Sequence, residues 1–77
     1  MDPEKILTDI VRSIVDTPDE VKIARTEEGD EIRFVLSVAA DEMGMIIGKH
    51  GKIAKAIRTV VKAAAAGTGK RVTVDIR

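Results

Sequence analysis

Two stretches of strict alternation, about 30 residues apart, limit what this chain can become. In Glu31 to Ala39, Ile32, Phe34, Leu36 and Val38 alternate with Arg33, Val35, Ser37 and Ala39, and in Lys70 to Arg77, Val72, Val74 and Ile76 alternate with Arg71, Thr73 and Asp75. A period of two marks a strand with one face in a core. Val21 to Thr26 runs through Glu27-Glu28-Gly29-Asp30 into the first of these stretches, which predicts a hairpin. Val35 and Ala39 leave the outer face of 31–39 only partly polar, so that strand is expected in the centre and 21–26 at an edge. The gap before the last strand is long enough for a helical crossover to a parallel partner.

Helical spacing fills the rest. Asp2 before Pro3 reads as an N-cap followed by proline at the first helical position, and Ile6, Leu7, Ile10, Val11, Ile14 and Val15 recur every three or four residues, giving a helix over 3–15 that Thr17-Pro18 ends. Residues 41–47 form a short helix capped by Asp41. From Gly51 to Ala66 the pattern is helical again, with Ile57, Val60, Val61 and Ala64 on one side, Lys52, Lys55, Arg58 and Lys62 on the other, and Gly67 as the C-cap. The order α-β-β-α-α-β predicts an α+β fold, a three-stranded mixed sheet with its helices on one face.

At 77 residues this is a single domain, 1–77, whose core must be economical. No apolar run approaches the roughly 20 residues of a membrane span, and the acidic N-terminus, Asp2 and Glu4, lacks the features of a secretory signal, so a cytoplasmic protein is expected. Without cysteine, and with His50 as the one histidine, no metal site or thiol chemistry is expected, and neither is a cofactor. Thirteen Lys/Arg balance thirteen Asp/Glu, but residues 1–40 hold 5 against 10, a balance of −5, and residues 41–77 hold 8 against 3, a balance of +5. A basic half suits an anionic partner held locally.

The chemistry concentrates in Met45-Ile46-Ile47-Gly48-Lys49-His50-Gly51-Lys52. Glycines three apart between two helices allow a tight turn against which a sugar-phosphate backbone can lie, and the start of the following helix supplies amides and the positive end of its dipole. Lys49, Lys52 and Lys55 add full charges. His50 either hydrogen-bonds a phosphate or faces water. Lys62, Lys70 and Arg71 read as solvated surface, and Phe34, in phase with Ile32 and Leu36, as core.

The run Ile46-Ile47-Gly48-Lys49-His50-Gly51, preceded by a hairpin and followed by a basic helix, resembles the KH domain in its prokaryotic, type II arrangement, over essentially the whole chain. Lys55-Ala56-Ile57-Arg58-Thr59-Val60-Val61 is similar to the small one-domain bacterial RNA-binding proteins of that family. The resemblance implies single-stranded RNA as partner, with about four of its nucleotides in a groove, their backbone clamped by Gly48 to Gly51 and their bases against apolar side chains near Met45, Ile46 and the central strand. It implies a role in RNA chaperoning or post-transcriptional regulation, and dimerisation with itself or with a larger KH-containing protein. It also fits a chain with one Phe and no Trp or Tyr, which cannot build the aromatic platform of other single-strand binders. One departure stands out: the large aliphatic that the family places three residues after the second glycine is here Ala54, with Ile53 beside it.

An enzyme is not expected, nor a small-molecule substrate. Gly44-Met45-Ile46-Ile47-Gly48-Lys49 is one residue short of a nucleotide-binding P-loop and His50 stands where Ser or Thr is needed. Ser13 and Ser37 lie within regular structure without a histidine partner. The rival is a protein-protein interaction module acting as a homo- or heterodimer subunit, for which the alanines at 63 to 66 offer a close-packing surface; high helix propensity accounts for them equally simply.

Overall fold

A computed structural model describes residues 2–77. It contains α1 (Pro3–Ile14), β1 (Lys22–Glu28), β2 (Glu31–Ser37), α2 (Met43–Ile47), α3 (Lys52–Ala65) and β3 (Arg71–Ile76), linked by short 3₁₀ turns. Asp2 caps α1 as its sequence requires: Oδ1 accepts from the Glu4 amide at 3.0 Å and the Lys5 amide at 3.4 Å. The sheet order is β1-β2-β3, with β1 antiparallel and β3 parallel to the central β2. Residues 38–70 make the crossover that a parallel pair requires.

The core is where the two periods predict it. Leu7 and Val11 of α1, Ile32, Phe34 and Leu36 of β2, Ile57 and Val61 of α3, and Val72 and Val74 of β3 are buried together in one cluster. Each contributes roughly 1.5–3 kcal/mol by leaving water, so the single aromatic residue, Phe34, belongs to this cluster and not to a binding surface.

Several boundaries differ from the sequence reading, each for a local reason. Glu27 and Glu28 belong to β1, because the turn needs only Gly29 and Asp30; Glu28 pairs with Glu31, and Gly29 takes the positive φ of 61°. The central strand stops at Ser37, where the chain leaves for a 3₁₀ turn at Ala40–Glu42. Asp41 lies inside that turn and its side chain caps nothing. Gly67 is not the reversal point: Ala66–Thr68 tightens into a 3₁₀ turn in which the Thr68 hydroxyl donates to the Ala65 carbonyl and accepts from the Lys70 amide, and Gly69 takes the left-handed conformation. On α3 the sheet-facing residues are Ala54, Ile57, Val61, Ala64 and Ala65, while Val60 is 46% exposed. Small alanines let the helix close on the sheet and turn Val60 outwards.

Glu42 was unreadable from sequence. It is 5% exposed, and its carboxylate accepts from the Asp16 amide at 2.6 Å and the Thr17 amide at 3.1 Å. Those amides follow the end of α1, so a charged side chain at the start of α2 takes the place of water on the segment leaving α1. On the surface the hairpin is tied by Arg25 and Lys70, which both reach Glu27 and hold its carboxyl below the usual range, the Arg25 hydrogen bond being the larger cause. Replacing Glu42→Ala strands two amides and should cost about 2–3 kcal/mol; urea unfolding followed by circular dichroism should show a lower midpoint with an unchanged slope.

Candidate nucleic-acid interface

Three residues with positive φ shape the loop between α2 and α3. Gly48 stands at φ 73°, ψ 174°, His50 at φ 58°, ψ 24°, and Gly51 at φ 73°, ψ 14°. His50 is the only described non-glycine residue with positive φ. Strain of that kind, about 1–3 kcal/mol, persists only where neighbours hold it. Ile53 folds back over the start of the loop: a Cβ built on Gly48 would lie 2.6 Å from its Cγ1. At Gly51 the same construction meets nothing within 4 Å. The two glycines therefore do different work. Gly51 turns the chain into α3, whereas Gly48 also makes room for Ile53. The departure at positions 53 and 54 has its account here, with Ala54 buried and Ile53 seated on Gly48.

Part of the expected phosphate cradle is consumed by the loop itself. The Gly51 amide donates to the Gly48 carbonyl at 3.1 Å, and the Lys52 amide to the Lys49 carbonyl. What the loop offers an anion is chiefly the positive end of α3 together with its lysines. Lys49, His50, Lys52 and Lys55 are all exposed.

Ion pairing divides the cations sharply. Lys5, Arg12, Arg25, Arg33, Lys70 and Arg71 each reach a carboxylate. Among the described residues no carboxylate pairs with Lys49, Lys52, Lys55 or Lys62. The basic half read from the sequence is thus reduced at the hairpin end, where Glu27 and Asp30 neutralise Lys70 and Arg71, and concentrated at the loop and along α3.

The loop opens onto a groove between α3 and β3. At 100° per residue Lys55, Arg58 and Lys62 fall within about 60° of one another on α3, and the Arg58 Nε–H donates to the Val74 carbonyl at 3.1 Å, which places that strip against β3. β3 is a free edge. Arg71 and Arg77 donate to Asp30 and Leu36 of the neighbouring strand, so the even-numbered Val72, Val74 and Ile76 turn their backbone groups outwards. At the far end the groove opens into a hollow of about 370 Å³ lined by Lys62, Lys70, Arg71, Val72, Thr73 and Glu31.

Two of the expected base contacts move. Ile46 is 0% exposed and forms part of the core, and the apolar residues Ile32, Phe34 and Leu36 of the central strand are buried with it, so none of them offers a surface to a base. Met45 remains exposed, and Ile47, which the sequence reading had left out, is exposed beside it. Period alone cannot say which residue of a five-residue helix points inwards.

A groove between a helix and a sheet edge, entered over a G-x-x-G loop, on an α-β-β-α-α-β framework, defines a type II KH domain. The family model described as KhpA/KhpB, KH domain matches residues 4–76, and the chain belongs to that family. The RNA-binding protein KhpA of Clostridium acetobutylicum is 49% identical over 73 residues, covering 95% of this chain and 97% of that protein. The RNA-binding protein KhpA of Oceanobacillus iheyensis is 46% identical over 71 residues, covering 92% and 95%. Among solved structures, Aquifex aeolicus Era bound to GDP and AlF4− and Era in complex with MgGDPNP and nucleotides 1506–1542 of 16S ribosomal RNA share the fold, each with a TM-score of 0.69 at 19% identity. This chain is covered to 96% but spans only 29% and 28% of those proteins.

The Ile53 contact separates the two glycines experimentally. Both Gly48→Ala and Gly51→Ala force an alanine to positive φ, but only the first drives a methyl into Ile53. Gly48→Ala is therefore expected to destabilise by about 1–3 kcal/mol more than Gly51→Ala, measured by chemical denaturation of the two variants side by side.

Proposed function

We propose that this chain binds single-stranded RNA, laying the sugar-phosphate backbone of about four nucleotides over Gly48, Lys49, His50 and Gly51 and the bases in the groove between α3 and β3. The observation that carries this reading is that Lys49, Lys52, Lys55 and Lys62, none of them paired with a carboxylate among the described residues, follow one path from the loop along the groove, while six other Lys/Arg side chains are spent on carboxylates and Lys22 and Arg77 stand unpaired away from that path. Membership of a family whose relatives are named RNA-binding proteins supports it from outside the geometry. Met45 and Ile47 supply apolar contacts to the bases. Ile46 acts from beneath as the packed support of the loop.

The work is binding, not bond-making. Phosphates gain from the lysines and the end of α3, and the tight approach permitted by the glycines lets them do so at short range. Such a domain holds RNA weakly by itself and suits RNA chaperoning or post-transcriptional regulation in the cytoplasm. No described helix is long and apolar enough to cross a membrane.

A second reading, a module that joins a further copy or a larger KH-containing protein, is favoured by one specific feature on the other side of α3. There Ile10, Ile14, Ile53, Ala56, Ile57 and Val60, together with Lys52, line a largely apolar groove of about 280 Å³. The alanine run contributes less than the sequence suggests, because Ala64 and Ala65 are buried in the domain's own core. The two surfaces share Lys52 at the start of α3 and otherwise use different residues of the helix. A Val60→Asp variant separates them: loss of self-association by light scattering with unchanged RNA affinity is expected if the apolar groove pairs copies.

The RNA reading is tested by fluorescence anisotropy of labelled single-stranded RNA with the wild type and a Lys49→Asp, His50→Asp double variant, both checked for folding by circular dichroism. Aspartate tolerates the left-handed conformation of position 50, so the loop survives while its charge reverses. Wild-type binding and loss in the variant are expected. The log of affinity should fall against log salt with a slope of about −0.7 per phosphate neutralised, about −1.5 to −3 in all. Equal binding by both proteins, or a slope near zero, rejects the clamp.

A further inference from the structure

Arg58 is held in a way that none of the lysines of the strip is. Its Nε–H donates at 3.1 Å to the outward carbonyl of Val74, which fixes the plane of the guanidinium against the free edge of β3. The side chain is half-buried. Arg12, Arg25, Arg33 and Arg71 each find a carboxylate; among the described residues Arg58 pairs with none. Covering one strand carbonyl takes a single N–H. A guanidinium has five, and the two nitrogens at its end present a fork of parallel donors that this contact leaves unused.

Position decides what such a fork meets. Lys52 and Lys55 stand nearer the loop, where the backbone enters, and flexible ammonium groups follow phosphates as point charges. Arg58 lies about 9 Å further along the helix axis than Lys52, with its head drawn away from the loop onto the strand edge, where bases face. A fixed planar fork satisfies two acceptors side by side. Guanine presents O6 and N7 in that way and cytosine presents O2 and N3, whereas adenine and uracil interpose an N–H donor between or beside their acceptors.

We infer that Arg58 is a specificity-determining residue, which selects guanine or cytosine over adenine and uracil for the nucleotide seated between α3 and β3. The inference rests on the RNA reading above and adds to it a base preference and the residue responsible. A bidentate contact of this kind gives about tenfold discrimination.

The test measures anisotropy at one salt concentration with oligouridine, oligoadenosine and oligouridine carrying a single guanosine or a single cytidine. The proteins are the wild type, Arg58→Lys, which keeps the charge and loses the fork, and the Lys49→Asp, His50→Asp variant. Wild type should bind the guanosine- or cytidine-bearing RNA about tenfold more tightly than the other two, and Arg58→Lys should bind all of them alike at the oligouridine level. Replacing guanosine by 7-deazaguanosine, which lacks N7, should abolish the preference in the guanine arm and leave it intact in the cytosine arm; this measurement uses wild-type protein and stands even if Arg58→Lys does not fold. No preference in wild type, a preference retained by Arg58→Lys, or an equal loss on every RNA with a shallower salt slope, which would make Arg58 a phosphate contact, each overturns the inference. Failure of the wild type to bind any RNA, or full binding by the loop variant, instead refutes the RNA reading itself.

Discussion

Parallel strands cannot be joined by a tight turn, so the connection between β2 and β3 has to travel back along the sheet before the second strand begins. In this chain that journey places α2 and the loop at the end of β2, lays α3 along β3, and returns the chain beside Glu31. The groove follows from that path. Its helix wall is the outer side of the crossover helix, its other wall is the edge of the strand the crossover delivers, and its mouth is the turn at which the crossover reverses. No residue had to be added to the fold to make a site; the backbone route creates one.

What distinguishes the site from the rest of the surface is the disposition of charge. A chain with equal numbers of acidic and basic residues could neutralise its cations locally, as it does at the hairpin turn, where Arg25, Lys70 and Arg71 face Glu27 and Asp30. Among the described residues there is no such partner for Lys49, Lys52, Lys55 or Lys62 along the loop and α3. Exposed ion pairs contribute little to stability, so the paired hairpin gains little from its carboxylates, but the pairing lowers the local field and leaves the strip as the place where an anion gains most. The loop itself is shaped by apolar contact: Ile53 sits on Gly48, and the strained His50 is held between two glycines.

Much of this was legible in the sequence. Alternation in 31–39 and 70–77 identified the central strand and a third strand, helical spacing identified α1 and α3, and the glycine pair marked the turn between helices. The site was half legible. Its loop could be read because glycine spacing and lysine placement are local properties, but Ile46 was assigned to the groove although it lies in the core, and Ile47 was passed over. Glu42 gave no signal at all, since a glutamate in a turn looks like solvated surface until two amides from a segment 25 and 26 residues away are found on its carboxylate.

The sequence by itself determined the elements, their order, the mixed sheet and the place of the glycine-bounded loop between α2 and α3, because periodicity, capping and positive-φ glycines act over a few neighbouring residues. Only the tertiary structure decided that β3 and not the central strand borders the groove, that Arg58 is tied to Val74 while the lysines of the strip have no carboxylate partner among the described residues, and that Ala54 and Ala65, rather than Val60, are buried. These depend on how closely a helix approaches a strand, a distance set jointly by side chains far apart in the chain.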